Sequence, residues 1–280
     1  MLHIATVHYE SPRWIEIQTS HLRRHISVPY QTWTSLQYID PSYSTYFDRV
    51  IQQRGSHGEK LNHLALEISH EAADSDLLMF LDGDAFPIAD LTPLLTDGLT
   101  DVPLVAVRRA ENANEPQPHP CFCLTTVGAW RELHGDWTRG YTWAEVGTNR
   151  ASDVGANLLR ALELSGTPWG ELLRSNVRNP HPLFFAVYGD LIYHHGAGFR
   201  TKAIITRHDR EGAHVKTLPL TPVPGLRSVM RRINQRRVRS WRQDTQRHNL
   251  GESDRMFERI ASGDPDWLAE LIEPPERSSA

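Results

Sequence analysis

The stretch Leu77-Leu78-Met79-Phe80-Leu81-Asp82-Gly83-Asp84-Ala85-Phe86-Pro87 carries the strongest signal in this chain. Five consecutive apolar residues suit a strand buried on both faces, as in a parallel sheet covered by helices. Two carboxylates follow at the carboxyl end, where open α/β sheets bind their ligands. Nothing apolar shields that pair, and a hard divalent cation such as Mg²⁺ or Mn²⁺ is the natural compensation for two like charges so close. Gly83 lets the backbone bend and a bulky diphosphate approach. Asp-Gly is also a hairpin signal, but residues 85–95 lack a matching alternating strand.

Outward from this stretch the pattern is that of α/β layers. Residues 2–7 read as a first strand, 14–26 as a helix and 29–39 as a second strand. From Glu59 the period changes: Leu61, Leu64, Ala65, Ile68 and Ala72 repeat at helical spacing, the mark of an amphipathic helix leading into the 77–81 strand. Downstream, 93–99 reads as a short helix or turn, 103–107 as a buried strand and the proline-rich 110–120 as a loop. A strand at 122–127, a short helix at 129–133, a loop at 141–153 and a helix at 153–164 follow. Residues 183–188 and 191–195 read as a β-hairpin around Gly189-Asp190. Cys121 and Cys123, separated by one residue, suit two small buried hydrophobes better than a disulfide or a zinc site.

The 280 residues are 39% hydrophobic and 23% charged with a formal charge of −4, which excludes wholesale disorder and gives no global field for nucleic acid. No apolar run approaches the roughly 18–20 residues that span a bilayer, and residues 1–7 lack the features of a signal peptide. The expected setting is the cytoplasm. The character changes after residue 205, so the expected organisation is a catalytic domain over 1–205 and a helical extension over 206–280. In the extension Leu226, Val229, Met230, Ile233 and Trp241 fall at roughly helical spacing among eight arginines between Arg227 and Arg247. Such a helix suits an anionic membrane surface, with peripheral contact at its inner face. Nucleic acid is less suited, because stacking platforms are reduced to Trp241. A helix docked by its apolar stripe, its arginines paired with acidic residues of the main domain, is the plainer reading.

Two aspartates alone would under-ligate a cation. His194 and His195 end a predicted strand and run into Gly196-Ala197-Gly198, with Arg200 and Lys202 beyond. Imidazole suits Mn²⁺, and the guanidinium and ammonium suit phosphate oxygens. Either histidine is a candidate third ligand beside Asp82 and Asp84.

On these residues the chain resembles nucleotide-sugar-dependent glycosyltransferases of the GT-A fold, in which an Asp-X-Asp segment holds a divalent cation bridging the donor diphosphate. The likeness covers roughly residues 2–202. It implies a GT-A-like single domain with a mixed central sheet, and it places Thr6 and His8 near the nucleotide and Lys60 and Asn62 near the donor. His194-His195-Gly196 is similar to the late histidine-glycine segment that supplies a third metal ligand in many of these enzymes. The implied function is metal-dependent transfer of a hexose-like sugar from a nucleotide-diphosphate donor to a saccharide or other hydroxyl acceptor. An inverting enzyme needs a carboxylate base beside that acceptor. Asp153 is the candidate, although an Asp before a helix is also an ordinary N-cap, and Glu145 and Asp136 are the substitutes. A retaining enzyme needs none. The alternatives are a nucleotidyltransferase of the same fold, whose Gly-rich triphosphate loop is missing from residues 1–30, and a non-catalytic module binding nucleic acid or membrane through the arginine-rich helix.

Overall fold

The computed structural model of the chain describes residues 1–146, 149–196, 205–213, 219 and 223–273. These divide into two compact units, 1–196 with 268–280 and 197–267.

The first unit is built on a seven-stranded sheet. In chain order its strands are β1 (Leu2–Tyr9), β2 (Tyr30–Gln37), β3 (Arg49–Val50), β4 (Leu77–Asp82), β6 (Leu104–Arg108), β7 (Pro118–Thr126) and β10 (Gly170–Leu172), and their spatial order is β10-β6-β7-β4-β1-β2-β3. β1 runs parallel to both β2 and β4, whereas β7 is antiparallel to β4 and β6. A second sheet joins the short β5 (Ala85–Pro87), β12 (Ile192–His194) and β11 (Ala186–Tyr188), and a two-stranded ribbon joins β8 (Ala144–Val146) to β9 (Asn149–Ala151).

Alternation along β4 explains why its run is apolar throughout. Leu78 and Phe80 face one core with Leu61, Leu64, Ala65 and Ile68 of α2 (His57–Glu71). The same core holds Val127 and Trp130 of α4 (Val127–Glu132) and Leu158 and Leu162 of α5 (Ala156–Ser165). Met79 and Leu81 face the opposite core with Leu22 of α1 (Ile15–His25), Leu95 of α3 (Thr92–Asp97) and Ala186, Tyr188 and Ile192 of the small sheet. The central strand is therefore covered on both sides, as its sequence predicts.

Several segments differ from the sequence reading. Residues 85–87 are a strand, although too short to show alternation. β7 begins at Pro118 rather than at 122, because Pro118 and Pro120 sit at its start, and a register shift of its pairing with β6 falls between Ala106 and Val107. Part of the expected loop over 141–153 is the β8–β9 ribbon. The 183–188/191–195 hairpin forms as β11 and β12.

In the second unit α6 (Arg207–Glu211) precedes α7 (Pro224–Ala261), a single helix of 38 residues. It runs on without a break through Met256-Phe257-Ile260. Asn249, Ser253, Met256 and Ile260 form its buried stripe, while no side chain described over 225–248 is buried. The last helix, α8 (Ala269–Ile272), falls in the first unit, where Leu271 O accepts from Val177 N and Arg178 N. Among the described residues no helix is long and apolar enough to cross a membrane.

Candidate metal centre

The β4 strand ends at Asp82, and β5 begins at Ala85, so Gly83 and Asp84 form the link between the two sheets. β5 pairs antiparallel with β12 in a register that sets Ala85 opposite His194. This pairing carries a residue 110 positions downstream onto the carboxylates. His194 Nε2 lies 3.6 Å from Asp82 Oδ2 and 3.4 Å from Asp84 Oδ1. One donor atom from each of Asp82, Asp84 and His194 falls within 4.8 Å of the others. Two carboxylate oxygens and one imidazole nitrogen make a set able to hold Mn²⁺ or Mg²⁺.

His194 is deeply buried. Burial disfavours its charged form, but the Cys121 sulfur and the Asp84 carboxylate outweigh that and hold it well above the usual histidine range. Cys121, expected only as core filler, thus abuts the site; burial pushes its own thiol up, against the opposing pull of His194. His195 points elsewhere. Its ring packs 4.5 Å from that of Trp14, its Nδ1 is hydrogen-bonded to the Tyr193 hydroxyl at 2.9 Å, and its backbone N–H donates to Asp84 O. Burial lowers its pKa to about 3.

The turn itself is held from beneath by Gln18, a fully buried residue that the sequence reading passed over. Its Nε2 donates to Asp82 O and Ala85 O, both at 2.7 Å, while its Oε1 accepts from Thr6 Oγ1 and His8 Nε2, both at 3.2 Å. The signal was present: Gln18 lies on the face of α1 that buries Ile15, Thr19 and Leu22. Thr6 and His8 therefore stand beside the metal group, on the C-terminal half of β1. Burial lowers His8 to about 4, against its hydrogen bond to Gln18 and the charge of Asp84. His57, also unforeseen, donates from Nε2 to Asp82 Oδ1 at 2.7 Å.

The other residues singled out from sequence fall as follows. Lys60 is buried in α2, its ammonium 4.8 Å above the ring centroid of Tyr9, and burial lowers its pKa. Asn62 spans to a neighbouring loop, donating to Asp136 Oδ1 at 2.6 Å and accepting from Trp137 N at 2.9 Å. Asp136 also accepts from Thr138 N, Thr138 Oγ1 and Asn157 Nδ2, and these bonds hold its carboxyl low against the cost of burial. Asp153 precedes α5, but the N-cap is Gly155; the Asp153 carboxylate accepts from Val154 N and pairs with Arg139 at 2.7 Å. Glu145 lies in β8. Arg200 and Lys202 lie outside the described residues.

No protein-family model matches the sequence, and no curated protein matches it. Among solved structures the chain is similar to the mannosyltransferase PcManGT of Pyrobaculum calidifontis, solved with GDP-Man and Mn²⁺. The two are 11% identical over 64% of this chain and 58% of that one, with a TM-score of 0.41. It is similar to the galactosyltransferase LgtC, solved with donor and acceptor sugar analogs, at 11% identity over 61% and 73% with a TM-score of 0.37. It is similar also to the glycosyltransferase GlyE of Streptococcus pneumoniae, at 15% identity over 61% and 45% with a TM-score of 0.38. The chain spans less than two thirds of PcManGT and of GlyE. The described residues form a mixed seven-stranded sheet flanked by helices, with Asp82 and Asp84 at a strand end and a helical C-terminal segment.

Proposed function

We propose that this chain is a metal-dependent glycosyltransferase, moving a hexose-like sugar from a nucleotide-diphosphate donor to a saccharide or other hydroxyl acceptor. The observation that carries the reading is the convergence of Asp82, Asp84 and His194 at the carboxyl end of β4. In this reading those three residues hold Mn²⁺ or Mg²⁺, and the cation supplies charge neutralisation to the leaving diphosphate. Gln18 fixes the turn that presents the two aspartates. Thr6 and His8 flank the nucleotide, Lys60 and Asn62 border the donor side, and Arg200 and Lys202 meet phosphate oxygens. Asp153, with Glu145 as substitute, accepts the acceptor's proton if the configuration inverts.

A third partner suits the chain: an anionic membrane surface contacted by α7. Its arginines between 227 and 247 face a single acidic residue, Asp244, on the same stretch. Val223, Leu226 and Val229 at its start are each just over half exposed. Exposed aliphatic residues beside arginines fit a lipid interface, whereas single-stranded nucleic acid calls for exposed aromatic platforms. Action at the cytoplasmic face of a membrane follows from this reading.

The test is a thermal-shift comparison of UDP, GDP, ADP and dTDP with and without Mn²⁺. A ligand that binds only the folded state raises the melting temperature by mass action. The expected result is one diphosphate that stabilises only with metal, and loss of that stabilisation in Asp84→Asn. If no diphosphate shifts the melting temperature in a metal-dependent way, the transferase reading is wrong.

A further inference from the structure

We infer that His57 is a positioning residue for the metal centre, acting through Asp82; this rests on the reading of Asp82, Asp84 and His194 as cation ligands. Asp82 is the last residue of β4, and its side chain is 14% exposed. The hydrogen bond from His57 Nε2 to Oδ1 at 2.7 Å pins one oxygen. The other, Oδ2, is then the one turned towards His194 Nε2 at 3.6 Å. Donation from Nε2 also fixes the ring's tautomer when the imidazole is neutral, with the proton on Nε2 and Nδ1 left as an acceptor. A donor on one carboxylate oxygen orients the other towards a cation, as outer hydrogen bonds do in metal sites generally.

The placement of His57 is itself built. It is the first residue of α2, and the helix starts there because Ser56 and Glu59 form a reciprocal cap. Ser56 Oγ accepts from Glu59 N, and Glu59 Oε2 accepts from Ser56 N at 2.6 Å. Leu61, Leu64 and Ile68 then lock the helix on the sheet. Neighbouring supports reach other parts of the same turn: Gln18 holds its carbonyls, and the His195 N–H holds Asp84 O. Of the two imidazoles beside the Asp82 carboxylate, His57 is the nearer, at 2.7 Å against 3.6 Å for His194. The His57 side chain is 34% exposed.

The test is Mn²⁺ affinity of the full chain, read by calorimetry or by the electron-paramagnetic-resonance signal of free Mn²⁺, with no donor present. His57→Ala is expected to weaken Mn²⁺ binding about 10- to 100-fold, the usual cost of losing such an outer partner, while the metal-free melting temperature stays close to that of the wild type. His57→Gln, which can offer an N–H to the same oxygen, is expected to restore most of the affinity. Ser56→Ala, which weakens the cap without removing the imidazole, separates helix stability from ligand orientation. Equal Mn²⁺ affinity in wild type and His57→Ala overturns the inference and leaves the metal group standing. A loss in His57→Ala that Ser56→Ala reproduces in proportion to lost stability also overturns it. If the wild type itself binds no Mn²⁺, the metal reading fails first and the role of His57 with it.

Discussion

An alanine at position 83 would place its Cβ 2.6 Å from Val7 O and 2.8 Å from His8 Nδ1. Glycine is required there by the close pass of β1, since the backbone of Gly83 is not in the left-handed region. The sequence pointed to the right residue, with the bend and the approach of a diphosphate as reasons; the neighbouring strand is a third, visible only in the fold. Gly83→Ala is expected to cost about 1–3 kcal/mol, the usual range for overpacking, and to weaken Mn²⁺ binding by displacing Asp82 and Asp84. Gly225, near the start of α7, has open space around it. Gly225→Ala should leave metal binding unchanged and stability equal or slightly higher, because alanine favours the helix. Chemical denaturation of both variants beside a Mn²⁺ titration checks the pair; matching losses in the two would refute the steric account.

At the scale of elements, the short β5 matters out of proportion to its three residues. Its pairing with β12 brings His194 to the aspartates, and no periodicity in so short a segment announces it. The long elements were legible because each buries a regular face, as α2 does with Leu61, Leu64, Ala65 and Ile68. In α7 the legible feature was the arginine content, and the structure adds where burial stops. The stripe from Asn249 to Ile260 is buried, whereas the arginine-bearing stretch before it has no buried side chain. If α7 meets an anionic surface, the protein should co-sediment with vesicles containing phosphatidylglycerol but not with pure phosphatidylcholine, and added salt should weaken the binding. Replacing Arg231, Arg232 and Arg236 with glutamine should reduce vesicle binding several-fold, and Leu226→Asp should reduce it at constant arginine content. Equal binding to neutral vesicles, or arginine-dependent binding to RNA in place of vesicles, would exclude the membrane reading.

For the whole molecule, buried histidines make stability depend on pH. His8 titrates near 4 in the fold, chiefly through burial, against a reference value of 6.5. The unfolded chain therefore binds more protons between those values, and stability from this group is present above pH 6.5 and lost as pH falls towards 4. The loss from His8 alone is about 3 kcal/mol at pH 4. His21 shifts the same way, to about 4, by burial. Glu115 acts oppositely: burial raises it to about 7, so its contribution is present at low pH and fades as pH rises towards 7. Urea unfolding at pH 7 and pH 4.5 should show His8→Gln losing less stability on acidification than the wild type; an unchanged difference would place the pH dependence elsewhere. The sequence by itself determined the covered β4 strand, the helix leading into it, the α/β class and the aspartate pair, because each follows from local composition and period. Tertiary structure decided which histidine faces the aspartates, that Gln18 and His57 hold them, and that Asn62 and Asp136 bond to each other. Those outcomes depend on strand register and on contacts between residues distant in sequence, and register is fixed only when the sheets assemble.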